Sequence, residues 1–215
     1  MTESMSAVPT GTHPQVRRLA AEIVAREGGF VNDPADPGGA TQYGVTLQTL
    51  RRLGIDKDGN GRIDQSDLKK LTRDDAVEIF LRHYFHAPRL DLLPQVLQPA
   101  VFDMQVNAGG QAVRILQRLL NDTGARLAVD GLIGPKTAAA ALAACRPHPQ
   151  AFADAYGIAR RNYYYALADA RPASRRYATT KAGGKGGWIL RAEAFMSPRY
   201  HLTLNQHRER TAKWL

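Results

Sequence analysis

Apolar residues recur with a helical period almost from the start of the chain. Val16, Leu19, Ala20, Ile23 and Val24 fall three or four positions apart, so the segment from Pro14 predicts an amphipathic helix with one face against a core. Pro14 suits its first turn, with Thr12 or His13 as the cap, and Gly28-Gly29 is a stop signal. The stripe reaches Glu27, which sets a carboxylate in the last turn. From Gly29 to Thr41 the period gives way to Pro, Gly, Asp and Asn, a turn-rich loop, and short strands are expected around residues 41–45. Short helices are predicted over 48–53 and 68–71. Thr72 with Asp75 predicts the cap of a helix that runs through Val77, Phe80 and Tyr84 and closes before Pro88. Helical patterns follow over 101–107, 111–121, 136–145 after a Gly134-Pro135 start, and 152–169. Tyr163, Tyr164 and Tyr165 cannot share one direction on a helix, so one or two are expected in the core and another along a cleft.

Composition narrows the class. A chain of 215 residues, 44% hydrophobic and 23% charged, is long enough for one sizeable core or two small lobes. No apolar run approaches the roughly 18–20 residues of a transmembrane helix, and the N-terminus lacks the pattern of a secretory signal. Residues 1–11 read as a flexible lead. The single cysteine, Cys145, has no intramolecular partner and reads as a buried small residue. The net charge of +9 is uneven: residues 146–215 hold 13 Lys and Arg against 4 Asp and Glu, while the rest of the chain is balanced. A basic surface of this kind attracts anionic lipid, cell-wall polymers or nucleic acid, or serves solubility alone. No zinc-finger or RNA-binding signature accompanies the charge, which argues against nucleic acid.

Three segments carry candidate chemistry. Partial burial and the negative helix end would both raise the pKa of Glu27, as a general acid requires, whereas an ion pair with Arg26 or Arg73 would make it structural. Asp36 and Thr41 follow in the rigid loop, where Asp36 is the candidate partner carboxylate and Thr41 a water-positioning hydroxyl; turn capping beside Pro37 is the alternative for Asp36. The second segment, 56–67, follows the spacing of an EF-hand calcium loop. Asp56, Asp58 and Asn60 supply hard oxygens, Arg62 a backbone carbonyl, and Asp64 a direct or water-mediated contact, while Gly61 permits the turn at position six. Asp67 stands at position twelve, where glutamate is usual. A bound Ca2+ is expected to be structural, since sensors work as paired hands. The third is the glycine turn 130–137. Asn107, at the end of its helix, is either a sugar contact or a C-cap. The run 181–187 lacks the P-loop spacing and reads as a flexible basic loop.

The run 27–34, Glu-Gly-Gly-Phe-Val-Asn-Asp-Pro, with 36–39 and 41–46, resembles glycoside hydrolase family 108, the N-acetylmuramidases, many of them phage endolysins. The likeness continues through 71–76, 102–109 and the turn 130–137, which resembles that of peptidoglycan-binding modules. It implies Glu27 as the catalytic acid, Asp36 and Thr41 as its secondary partners, and Gln42, Tyr43 and Asn107 as substrate contacts. Phe30 replaces the usual tyrosine, and Leu190 stands where asparagine is expected.

The expectation is therefore a mainly α, lysozyme-like, two-lobed fold with a small loop- and strand-containing catalytic lobe over 12–100 and an EF-hand-like insertion. A helical peptidoglycan-binding-like lobe over 101–197 and a basic tail over 198–215 complete it. The expected reaction is hydrolysis of the β-1,4 bond between N-acetylmuramic acid and N-acetylglucosamine, with stereochemistry set by a carboxylate separation that no sequence gives. A lytic transglycosylase and a noncatalytic wall-binding protein are the alternatives. The partner is bacterial peptidoglycan, with the basic third facing an anionic envelope surface; the protein is expected to be a monomer that binds no nucleic acid. It would be made in the host cytoplasm and act on the wall.

Overall fold

The computed structural model describes residues 13–26, 29–30 and 40–214. The expected N-terminal lead lies outside them. The chain divides into two compact units, one of Pro14–Ala87 and one built on Pro88–Leu215 with His13. The division falls at 87/88, ahead of the boundary near residue 100 that the sequence pattern implies. The helical segment over 73–86 ends there, and Pro88 begins the next unit.

In the first unit α1 (Pro14–Arg26) packs against α4 (Arg73–Leu81). The predicted stripe forms the contact: Val16, Ala20, Ile23 and Val24 are buried, as are Ala76, Val77 and Phe80 of α4. Arg17 and Glu78 pair across the exposed rim. A two-stranded antiparallel hairpin, β1 (Thr41–Gln42) and β2 (Val45–Thr46), sets Thr41 opposite Thr46 and Gln42 opposite Val45. Helix α2 (Leu47–Leu53) starts at once because the Thr46 hydroxyl accepts from the Thr49 amide. Helix α3 (Gln65–Lys70) begins earlier than the apolar pattern implies. Asp64 and Asp67 form a reciprocal capping box that starts the helix in polar sequence. Thr72 and Asp75 cap α4 in the same way, as predicted, and a π-helical turn, Arg82–His86, continues it.

The second unit is helical. Helices α5 (Gln98–Ala108), α6 (Gln111–Asp122) and α7 (Pro135–Cys145) pack on the long α8 (Pro149–Ala170), as do α9 (Arg175–Ala178) and α10 (Gly187–Glu193). Helix α8 buries Phe152, Tyr156, Tyr164 and Tyr165, but also Arg160, which is wholly inaccessible. Tyr163 turns the other way and lines a groove of about 330 Å3 with Ile115 and Leu119. Cys145 is fully buried, and burial pushes its thiol up to about 12, so it is unreactive. Residues expected as a tail fold instead as a 3-10 turn, Pro198–Tyr200, and α11 (Leu204–Thr211), opened by a Thr203 and Gln206 capping box. The polar sequence hides the reason: His207 and Thr211 are the buried positions of α11.

Candidate functional site

Glu27 and Asp36 lie outside the described residues; α1 runs to Arg26, immediately before Glu27. The hairpin brings Thr41, Gln42 and Tyr43 together. Its two-residue connection has positive φ at both Tyr43 (51°) and Gly44 (76°), the signature of a type I′ turn that matches strand twist. Tyrosine in that region costs about 1–2 kcal/mol, a strain retained where a side chain must be presented in one place. The Arg73 guanidinium lies 5.8 Å from the centre of the Tyr43 ring. Gln42 is 8% exposed, and among the described residues its Oε1 has no hydrogen-bond partner, an unmet acceptor that costs roughly 1–3 kcal/mol. Phe30 is 37% exposed with the Lys69 ammonium 5.3 Å from its ring centre, so the departure from tyrosine leaves an aromatic surface without its hydroxyl.

The acidic loop brings three of the expected ligands together. Carboxylate oxygens of Asp56, Asp58 and Asp67 lie within 4.8 Å of one another. Asp56 accepts from the amides of Gly59 (2.7 Å) and Gly61 (2.8 Å), the latter at φ 81°. Asp67 is fully buried and accepts from the amides of Asp64, Lys57 and Asp58. Its carboxyl is held below the usual range, first by the Asp64 amide, against the opposing effect of burial. The Ser66 hydroxyl, at 2.6 Å, is the first cause that lowers Asp58. Asn60 accepts from the Arg62 amide, and Asp64 caps α3 by accepting from Ser66 rather than joining the carboxylate group. An all-oxygen donor set of ionised carboxylates beside a glycine turn has the chemistry that Ca2+ prefers.

In the second unit the turn 130–137 is locked to α6. Gln117, 1% exposed, donates to Asp130 Oδ1 at 2.7 Å and accepts from the Gly131 amide at 2.9 Å. A Cβ on Gly131 would meet the Gly110 carbonyl at 3.0 Å, so glycine is required by close approach as well as by its φ of 82°. Asn107 is exposed at the end of α5, donates to the Asp103 carbonyl at 2.8 Å and accepts from Arg191 at 3.3 Å. Asn107 is not the C-cap of α5, which is Gly109; it lies in the last turn, and its side chain ties that turn to the Asp103 carbonyl. Arg191 gave no signal in the sequence, because the contact spans 84 residues. Leu190, beside it, is 55% exposed.

Six of the thirteen Lys and Arg of residues 146–215 pair with three carboxylates of this unit. Asp103 lies between Arg160 (2.5 Å) and Arg191 (2.7 Å), Glu193 between Arg161 (3.2 Å) and Lys185 (2.5 Å), and Asp169 between Arg210 (2.6 Å) and Lys213 (3.0 Å). Hydrogen bonding from Arg210 holds the Asp169 carboxyl well below the usual carboxylate range. The run 181–187, expected to be flexible, is instead a hydrogen-bonded turn. The Thr180 amide donates to Gly184 O at 2.8 Å, Thr179 pairs with Lys185, and His207 Nε2 lies 3.1 Å from the same Gly184 carbonyl.

The mainly helical, two-unit architecture, with a hairpin and loop region in the first unit, is that of a lysozyme-like enzyme. The family model for Glycosyl hydrolase 108 matches residues 20–109, and that described as "Predicted Peptidoglycan domain" matches residues 111–193. The chain thus carries a glycosyl hydrolase 108 domain followed by a peptidoglycan domain, and it is a glycoside hydrolase acting on peptidoglycan. A solved structure of Brucella abortus SagA is 26% identical, with 93% of this chain and 95% of that chain covered, at a TM-score of 0.54. No curated protein matches.

Proposed function

We propose that the enzyme is an N-acetylmuramidase that hydrolyses the β-1,4 bond between N-acetylmuramic acid and N-acetylglucosamine, with Glu27 as the acid. The observation that carries this reading is the Glycosyl hydrolase 108 match over 20–109, which contains Glu27 directly after α1. Glu27 protonates the leaving oxygen while an oxocarbenium-like state develops at the muramic carbon. Asp36 is the second carboxylate, and Thr41 orients water. Gln42 and Tyr43, from the strained hairpin, and Asn107, an exposed amide, contact the sugars.

The loop 56–67 is proposed to hold a structural Ca2+ through Asp56, Asp58 and Asp67, with Asn60, the Arg62 carbonyl and Asp64 completing the set. Bound there, Ca2+ supplies positive charge that offsets the mutual repulsion of the three carboxylates. The setting we propose is a phage endolysin, made in the host cytoplasm and acting on the wall once released. Lysis on expression only when the inner membrane is permeabilised supports that setting; lysis without permeabilisation contradicts it.

Mass spectrometry of fragments released from purified sacculi by wild type and Glu27→Gln tests the reaction. Reducing muramic ends made by wild type alone support the muramidase. Anhydro ends replace it with a lytic transglycosylase, and the absence of any fragment replaces it with a wall-binding role.

A further inference from the structure

We propose that the groove between α9, the turn 180–184 and α11 binds the acidic peptide stems of peptidoglycan, an inference that rests on the peptidoglycan-directed reading above. The groove encloses about 510 Å3 and is lined by Arg175, Thr180, Lys181, Arg208, Glu209 and Trp214. That is the size of a small-ligand site, where a few placed polar groups set orientation. Lys181 and Arg208 are exposed and form no ion pair among the described residues, unlike the six cations committed to Asp103, Glu193 and Asp169. Two uncommitted cations beside a hydroxyl suit the carboxylates of a short peptide, and charge-assisted hydrogen bonds to them are the strong ones. Glu209 adds a single negative group, which suits the ammonium of a diamino residue and opposes a uniformly anionic polymer or membrane.

The walls are already built. The Trp214 indole N–H donates to Asp169 at 2.7 Å, and its carbonyl accepts from Arg175 at 3.3 Å. On the facing side, the Thr180 hydroxyl accepts from the Gly184 amide at 2.9 Å, and the Gly183 amide closes on Thr180 O at 3.0 Å. Buried His207 joins the two walls, accepting or donating to Tyr165 Oη at 2.7 Å from one nitrogen and facing Gly184 O from the other. A pre-organised groove loses little entropy on binding. Arg175 to Gly183 lie within the peptidoglycan-domain match, whereas α11 follows it.

Calorimetry on the full chain tests this, with the tetrapeptide L-Ala-γ-D-Glu-diaminopimelate-D-Ala, its carboxyl-amidated form and phosphatidylglycerol vesicles as probes. We expect the free-acid peptide to bind wild type, and both amidation and the double variant Lys181→Glu/Arg208→Glu to weaken it by about tenfold or more, as the loss of one charge-assisted contact implies. Unchanged affinity on amidation or charge reversal overturns the proposal, as does vesicle binding that the double variant loses while peptide binding persists. Fragment release from sacculi is followed on the same preparations. Release without peptide binding removes the groove's role and leaves the hydrolase; peptide binding without release keeps the groove and removes the hydrolase.

Discussion

Arg160, with no accessible surface in the middle of α8, donates to the Asp103 carboxylate of α5 at 2.5 Å. Burial disfavours the guanidinium charge, yet Asp103 and Tyr164 more than offset that effect, so Arg160 remains firmly protonated. The pair cannot lose one member cheaply. Asp103→Ala should destabilise the protein by about 3–5 kcal/mol, because an unpaired buried cation remains. Arg191→Ala, which removes a partly exposed partner of the same carboxylate, should cost only about 1 kcal/mol. Urea denaturation of both variants measures the difference, and equal costs contradict this account.

Tyr43 should show a conflict between stability and activity. Asparagine tolerates its backbone conformation far better, so Tyr43→Asn should raise stability by up to about 1 kcal/mol. If the ring contacts sugar, KM for soluble peptidoglycan should rise several-fold while kcat changes little. A variant that is more stable with unchanged KM would confine Tyr43 to the turn.

Acid should loosen α11 before the rest of its unit. The pKa of His207 is lowered from 6.5 chiefly by burial, with the Gly184 carbonyl opposing and Lys185 and Arg208 adding to the decrease. Between its folded value and 6.5 the unfolded chain binds a proton that the folded chain excludes. Its contribution is therefore fully present above about pH 6.5 and declines as pH falls below it. Glu193 acts lower in the range. Burial raises its pKa, but Lys185, the Leu202 amide and Arg161 bring the net below 4.5, so its contribution holds above pH 4.5 and is lost as pH falls through the folded value. The melting temperature, followed by tryptophan fluorescence in a Trp188→Phe background so that Trp214 alone reports, should decline from pH 7 to 5 and flatten when His207→Gln is added.

Calcium should stabilise the first unit by mass action, by about 2.7 kcal/mol at one hundred times its Kd. Chelation should lower Tm in wild type and leave Asp56→Asn unmoved. Asp67 is a poor test, since it caps α3 and holds two further amides, so Asp67→Ala should destabilise with or without the ion. A wild-type Tm indifferent to both chelator and added calcium removes the ion from the fold.

Local rules made much of the fold legible. The stripe from Val16 to Val24, the Thr72 and Asp75 capping box, the proline start of α7 and the split among the three tyrosines each follow from residues within a turn or two of one another. Three carboxylates of the acidic loop converge for the same reason, because the ligand spacing is itself local. Capping of α3 was legible in principle, through Asp64 followed three residues later by Asp67, but its first turn is polar and carries no apolar period.

The sequence by itself determined α1, α2, α4 to α8, the position of the short strands and the acidic loop, since each depends on backbone propensity and neighbouring side chains. Only the tertiary structure decided which charges are spent. Asp103 meets Arg191 across 88 residues, and Glu193 meets Arg161 across 32. Net charge counts these cations alike, yet Arg161 is buried against Glu193 and Arg191 is paired while partly exposed. The same long-range packing turned an apparent tail into α11, because His207 and Thr211 are polar residues whose partners, not their hydropathy, place them inside.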